Sequence, residues 1–371
     1  MTNWRARLRR DPVLYAAALL AAASAFFVPP SPAYFSYLDL RVLSLLLALM
    51  LVVAGLKGAG VFGWLTERLL ERARTERALA AVLIGVCFFG SMLITNDVSL
   101  ITFVPLTLML LPRAGMQRLL IPVIVLQTIA ANLGSSLTPL GNPQNLYLYS
   151  LSGMTAGEFL QVMAPLAALS LLGLAVAVLC IRPRALSVRT ETGRTAVRGG
   201  AAALWLGLFG LCLLAVLRAA PYWAALAAVL AAALILDRKL LRRADYALLG
   251  TFIFFFIFIG NIKSIPAVSE ALPPLVAGRE IGAGVLLSQV ISNVPAAMLL
   301  SGFTTRYAPL LLGVNLGGLG TLIASMASMI SYKLYAKTED AAAGRYLGTF
   351  TVLNLLFLAA LRIGIALFST L

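Results

Sequence analysis

Apolar runs of roughly 20 residues follow one another through most of this chain, and a soluble domain could not cover that much apolar surface. With 61% hydrophobic and 12% charged residues, the runs read as membrane-spanning segments. The expected fold class is an all-α polytopic membrane protein.

The net charge of +15 does not point to nucleic acid. Most Lys and Arg sit in short loops between apolar runs, as the positive-inside rule predicts for cytoplasmic loops. No basic surface interleaved with aromatics appears, so no nucleic-acid partner is expected. Histidine is absent, which excludes imidazole metal ligands and His-based proton relays. Cys87, Cys180 and Cys212 lie far apart inside apolar runs and read as packing residues, with neither a disulfide framework nor a metal spacing. No cofactor is expected. The opening "MTNWRARLRRDP" imitates a signal peptide, but no small-x-small cleavage site followed by polar sequence appears. A retained first helix is expected.

A first span is expected over 13–28 and a second over 42–56, with Arg5, Arg7, Arg9 and Arg10 placing the N-terminus in the cytoplasm. In "KGAGVFGWLTERLLERARTER", Trp64, Leu65, Leu69 and Leu70 alternate with Arg68, Arg72, Arg74 and Arg77, the pattern of an amphipathic helix on the cytoplasmic surface. The stretch between Arg77 and Arg113 is too short for two crossings of about 20 residues plus a turn. Both its flanks are basic. It therefore reads as a re-entrant hairpin, about 79–111, entered from the cytoplasm with "TNDVS" at its tip near mid-membrane. A broken helix follows, about 119–152, because the Gly and Pro residues of "NLGSSLTPLGNPQN" forbid a continuous one. The span 159–181 returns to the cytoplasm, and a polar basic linker at 182–200 separates a first half, 1–181, from a second, 201–371.

The second half repeats the order. Spans over 201–217 and 222–236 lead to the basic loop "DRKLLRRAD", and "FIGNIKSIPAV" echoes "VAGLKGAGVF", with Lys263 in the place of Lys57. A second hairpin, about 281–304, contains "LLSQVISNVPAAMLL", and a second broken helix, about 308–335, contains "GVNLGGLGTLIASMASM". Asn132, Leu133, Gly134 and Thr138 align with Asn315, Leu316, Gly317 and Thr321. Four cations, Arg218, Lys263, Arg279 and Arg306, fall outside, while Arg41 and Arg362 sit near external helix ends where they can snorkel. The first hairpin enters from inside and the second from outside. That is an inverted-topology repeat with two re-entrant hairpins and two broken helices, which points to a binding site at the repeat interface.

Each tip offers a hydroxyl and an amide, Thr95 with Asn96 and Ser292 with Asn293. One break offers Gly134, Ser135, Ser136 and Asn142, the other Gly317, Gly318 and Ser325. Carbonyls released by unwinding can ligate a small cation, and inward-pointing helix N-termini favour an anion. An isolated Asn in an apolar helix more often bonds a neighbouring helix, and an isolated Gly/Pro break is more often a kink. Recurrence of both features in the same order favours a site for a small polar solute with a coupling ion. Lys57 and Lys263 read as snorkelling helix-end residues. Asp97 differs, because a mid-membrane carboxylate is costly and functional by default.

"TNDVSLITFVPL" with "GSSLTPLGNPQNLYLY", then "SNVPAAMLL" with "NLGGLGTL", resembles the ion transporter superfamily over roughly the whole chain. The branch it looks most like is the citrate-transporter-like permeases, related to divalent-anion/sodium symporters and arsenite-efflux permeases. The resemblance implies a dimer with a scaffold and an elevator-like transport domain. It also implies tips reading Ser-Asn-Thr, where Asn and Thr contact a carboxylate substrate and the tips and breaks bind sodium. By similarity Asn96 and Asn293 contact substrate, and Thr95, Ser292 and Gly134 lie at ion sites. The expected substrate set is Asn96, Asp97, Asn293, Ser135, Thr138, Asn142 and Thr321. The expected coupling-ion set is Thr95, Asn96, Asp97, Gly134, Ser292, Asn293 and Gly317. This chain carries Asp97 and Val294 where the two tip threonines stand. A carboxylate repels a bare dicarboxylate and valine cannot donate a hydrogen bond, whereas Asn-Asp looks closer to the arsenite-efflux branch, where the substrate can be neutral.

The expectation is a secondary transporter of the bacterial inner membrane, moving a small anion such as citrate or a dicarboxylate with Na⁺ or H⁺. Arsenite or antimonite efflux and cation/proton antiport are the alternatives within the superfamily. A membrane enzyme would need a base, nucleophile or metal cluster, and with no His and one intramembrane carboxylate that reading is poor. A channel fits poorly with paired hairpins.

Overall fold

The computed structural model describes residues 12–71, 73–186 and 196–368. The basic N-terminal segment with Arg5, Arg7, Arg9 and Arg10, Arg72, and residues 187–195 of the linker lie outside the described residues. Helices dominate, and the one bridge outside them, Thr75 with Ala185, ties the approach to the first hairpin to the chain leaving residue 181.

The first-half helices are α1 (Pro12–Ala25), α2 (Ala33–Tyr37), α3 (Leu40–Gly58), α4 (Val61–Leu70), α5 (Glu76–Ile94), α6 (Asn96–Arg113), α7 (Leu120–Gly134), α8 (Pro143–Ser152) and α9 (Ala156–Leu179). The second half supplies α10 (Gly199–Val216), α11 (Tyr222–Leu236), α12 (Tyr246–Lys263), α13 (Pro266–Val276), α14 (Glu280–Ile291), α15 (Asn293–Ser301), α16 (Tyr307–Leu316), α17 (Met326–Tyr335) and α18 (Ala343–Phe368). Among the described residues, seven helices are long and apolar enough to cross a membrane. The chain is a multi-pass membrane protein.

Helix starts are written locally. Asp39 caps α3 by accepting from the Val42 amide, Thr75 caps α5, and Asp245 caps α12. Asn142 caps α8 ahead of Pro143, and Thr155 with Glu158 forms a capping box on α9.

The helices fall into two packed groups. In one, α3 packs on α10 and α11, and α1 on α12. A Cβ on Gly55 of α3 would overlap the Trp205 indole of α10, so a bare backbone is what lets these two helices meet. In the other group, α5 and α6 pack on α7, α14 on α16, and α9 and α18 flank α7. Contacts between the groups are few and specific. Tyr147 of α8 lies against Phe252 and Phe256 of α12, and Lys57 at the end of α3 donates to the Thr102 hydroxyl of α6 at 3.1 Å. Lys57, expected to snorkel, thus reaches the hairpin instead.

Both hairpins are present, and their arms differ. The arms α14 and α15 have 12 and 9 residues, roughly 18 and 14 Å at 1.5 Å per residue, well short of a bilayer core of about 30 Å. The arms α5 and α6 have 19 and 18 residues. Arms close to crossing length therefore fit between Glu76 and Arg113. The turn consumes only Thr95, so almost every residue of the stretch is helical. Each hairpin is closed at its base by a Glu–Arg ion pair, Glu76 with Arg118 and Glu280 with Arg306, and both carboxylates are buried.

Candidate functional site

Thr95 and Ser292 turn the two hairpins with the same backbone, φ 68° and ψ 152° against φ 75° and ψ 155°. Side chains other than hydrogen rarely occupy this region, at a cost of roughly 1–3 kcal/mol each. Such strain persists only where surroundings enforce it. The enforcing contacts also match. The Asn96 amide donates to the Gly141 carbonyl at 3.1 Å, and the Asn293 amide donates to the Ala324 carbonyl at 2.9 Å. Gly141 and Ala324 stand equally far beyond Asn132 and Asn315. Thr138 donates to the Met92 carbonyl and Thr321 to the Gln289 carbonyl, again at matching places.

Two glycines make this docking possible. A Cβ on Gly134 would overlap the Phe88 carbonyl and crowd the Ser91 hydroxyl. One on Gly317 would crowd the Ser288 hydroxyl and the Gly284 carbonyl. Ser91 and Ser288 occupy the same place ahead of their tips.

The two breaks are joined by crossed hydrogen bonds. Asn142 Nδ2 donates to Asn315 Oδ1 at 3.0 Å, and Ser325 Oγ donates to Asn132 Oδ1 at 2.9 Å. Asn315 Nδ2 donates to Asn145 Oδ1 at 2.7 Å, and Asn132 Nδ2 to Ser328 Oγ at 3.4 Å. Each break thus holds the other's asparagine through corresponding positions. All six residues are buried. Here Asn132, Asn142 and Asn315 do bond neighbouring helices, as isolated Asn residues commonly do. They also place the N-termini of α6, α8, α15 and α17 around one centre. Helix N-termini favour anions, and the C-termini of α5, α7, α14 and α16 that end beside them favour cations.

The expected residues separate into groups. Asn96, Ser135, Asn142, Asn293 and Ser292 are buried in this centre, with Gly134 and Gly317 in its walls. Asn96 is bound on both ends, its Nδ2 to Asn132 Oδ1 at 3.1 Å and its Oδ1 accepting from the Asp97 amide. The Asn293 side chain bonds no protein group among the described residues. Thr138 is half-buried, and Thr321 is exposed with its hydroxyl and amide both turned to Gln289. The structure places Thr321 at the rim and not in the centre.

Asp97 is half-buried in the first turn of α6. Three further residues stand outside the expected set. Asn145 and Gln289 both send their amides into the breaks. Gln144, 1% exposed, keeps a carbonyl oxygen without a partner at the start of α8. An amide inside a Gly/Pro motif was the available signal for the first and third. For Gln289 it was a polar residue within an apolar hairpin arm. A surface groove lined by Ser152, Met154, Glu158 and Gln161 contains none of the tip residues.

A sequence model of the family described as "Citrate transporter" matches residues 4–331. The inner membrane protein YbiR of Escherichia coli is 33% identical over 324 residues, covering 85% of this chain and 86% of that one. An uncharacterized transporter of Methanocaldococcus jannaschii is 30% identical over 337 residues, 88% of this chain and 90% of that one. A silicon efflux transporter of Oryza sativa subsp. japonica is 34% identical over 152 residues, 40% of this chain and 31% of its own length.

Proposed function

The chain belongs to the citrate transporter family, and from that premise we propose that it is a secondary active transporter of a small anion, a carboxylate such as citrate or a dicarboxylate. The observation that carries this is the crossed asparagine centre, where four helix N-termini meet beside amides of which Asn293 is unengaged. Asn293 and Asn96 would contact substrate, with Ser135 and Asn142 behind them. Asp97 would carry the coupling ion, Na⁺ or H⁺, since it is the carboxylate at either tip.

The matching tips, breaks and hairpin bases support an inverted-topology repeat with hairpin one entered from the cytoplasm, hairpin two from outside, and the N-terminus cytoplasmic. The two helix groups support a scaffold, α1, α3 and α10–α12, against which the hairpin group moves in an inner membrane. A homodimer completes this reading.

A second reading is favoured by Asp97 and Val294. A site with a carboxylate at one tip and a valine in place of a hydroxyl at the other suits a small neutral hydroxylated solute, and efflux of arsenite or antimonite is of that kind. The partial likeness to a silicon efflux transporter points the same way. Uptake into proteoliposomes, with labelled carboxylates and oxyanions and with Na⁺ and pH gradients imposed separately, decides between them. Saturable, gradient-driven carboxylate uptake is expected, and transport of neutral arsenite or silicic acid alone would replace the first reading by the second.

A further inference from the structure

Unwinding a helix releases backbone carbonyls, and every buried carbonyl must find a partner. In broken-helix transporters those carbonyls coordinate the coupling cation. In this chain they already face nitrogen. Gln289 Nε2 lies 3.0 Å from the Gly317 carbonyl and 2.9 Å from that of Leu319, both in the break, and 3.0 Å from that of Val285 in its own helix α14. Its Oε1 accepts from the Thr321 amide at 2.8 Å. Gly320, at φ 109°, has no Cβ, and one there would overlap the Gln289 amide. The break is shaped around this side chain.

The first break repeats the arrangement with a different residue. Asn145 Nδ2 lies 3.3 Å from the Ser135 carbonyl, 3.0 Å from that of Ser136 and 3.1 Å from that of Thr138. Its Oδ1 is held by Asn315. The positions corresponding to Gln289 and Asn145 in the opposite halves are Met92 and Ser328, neither of which could fill the same role. Two unrelated positions therefore deliver the same group, a neutral N–H₂, to both breaks, facing three break carbonyls from Asn145 and two from Gln289.

We propose that the amides of Asn145 and Gln289 occupy the places a coupling cation would take in the two helix breaks, so that the break carbonyls of this chain bind no sodium. A hard cation and an amide nitrogen compete for the same oxygens. The amide wins here without a free ligand because it is tethered and oriented from its far end. This inference rests on the transport reading and narrows it: an ion that couples transport must be held by side chains at the first tip, where Asp97 stands.

The test reads ion binding and needs no transport. Full-length protein in detergent is melted in sodium chloride and in choline chloride at equal ionic strength. Any sodium-specific rise in melting temperature of the wild type is expected to vanish in Asp97→Asn. Gln289→Ala, which vacates the cage, is expected to melt lower than wild type in choline and to regain part of the loss in sodium, saturably. Gln289→Glu keeps the side-chain length and sets a carboxylate against three carbonyls, so its stability should become sodium-dependent. The proposal is overturned if a wild-type sodium shift survives Asp97→Asn. It is equally overturned if both Gln289 variants melt alike in the two salts, or fold in neither. A protein that passes these tests but transports no anion would lose the functional reading and keep this one.

Discussion

Thr95 and Ser292 are neither glycine nor flexible, yet each sits in backbone space that glycine normally owns. Replacing Thr95 by Gly should raise the melting temperature, since relief of about 1–3 kcal/mol of strain outweighs the small loss in contacts. Transport should fall, because the tip can then relax away from Gly141. A Thr95→Gly protein that transports normally would show that the strain has no role in function. The two asparagines should behave differently. Asn293→Ala is expected to abolish transport at nearly unchanged stability, its side chain having no protein partner to lose. Asn96→Ala should cost both, through the lost bonds to Asn132 and the Asp97 amide. Equal melting losses for the two would contradict this assignment. Asp97→Asn separates two couplings. Loss of the response to a pH gradient with solute exchange intact marks a proton carrier, and loss of sodium dependence alone marks a sodium ligand. Full gradient-driven uptake under both regimes would make Asp97 structural.

Helices and hairpins were legible where a polar residue broke an apolar run. "TNDVS" and "VISNV" announced both tips, and Gly/Pro content announced the first break, because such residues contradict a helix whatever surrounds them. The length of the first hairpin was not legible, since nothing local says that a turn can be made from one threonine. Gln289 and Asn145 were missed for a related reason: a sequence shows which residue is polar and not which carbonyls it will face across the fold. The ion pairs at the hairpin bases were likewise out of reach, joining Glu76 to Arg118 and Glu280 to Arg306 across whole hairpins. The second is the richer, as Glu280 also accepts from the Gly278 amide and the Thr304 hydroxyl. Glu280→Ala is therefore expected to cost about 1–3 kcal/mol by stranding those donors, and Glu76→Ala less. Thermal melting of the two variants side by side checks the order, and a larger loss for Glu76→Ala would reverse the ranking.

At the scale of the molecule, the two helix groups meet through Tyr147 against Phe252 and Phe256 and through polar contacts, of which Lys57 with Thr102 is the most telling. A Lys57→Cys, Thr102→Cys pair, in a background lacking Cys87, Cys180 and Cys212, should be bridged by a short bis-methanethiosulfonate crosslinker that arrests transport and is released by reductant. Efficient crosslinking with undiminished transport would mean that the groups do not move past one another at this point. The inverted repeat makes its own demand. A reporter at Ser152→Cys should react with an impermeant reagent from outside, and one at Thr190→Cys, which lies outside the described residues, should not. Labelling of both from one face would sink the inverted arrangement.

The crossed asparagines carry a consequence for how the protein is made. Asn142 reaches Asn315 and Ser325 reaches Asn132 across 173 and 193 residues of chain. While the ribosome is still translating the second half, the first break therefore waits in the membrane with Asn132 Nδ2 and Asn145 Oδ1 unanswered. A nascent first half is a substrate for quality-control proteases, and its survival depends on how soon the later residues arrive. Slowing translation between the halves should lower the yield of folded transporter, even though it changes no residue in the finished molecule.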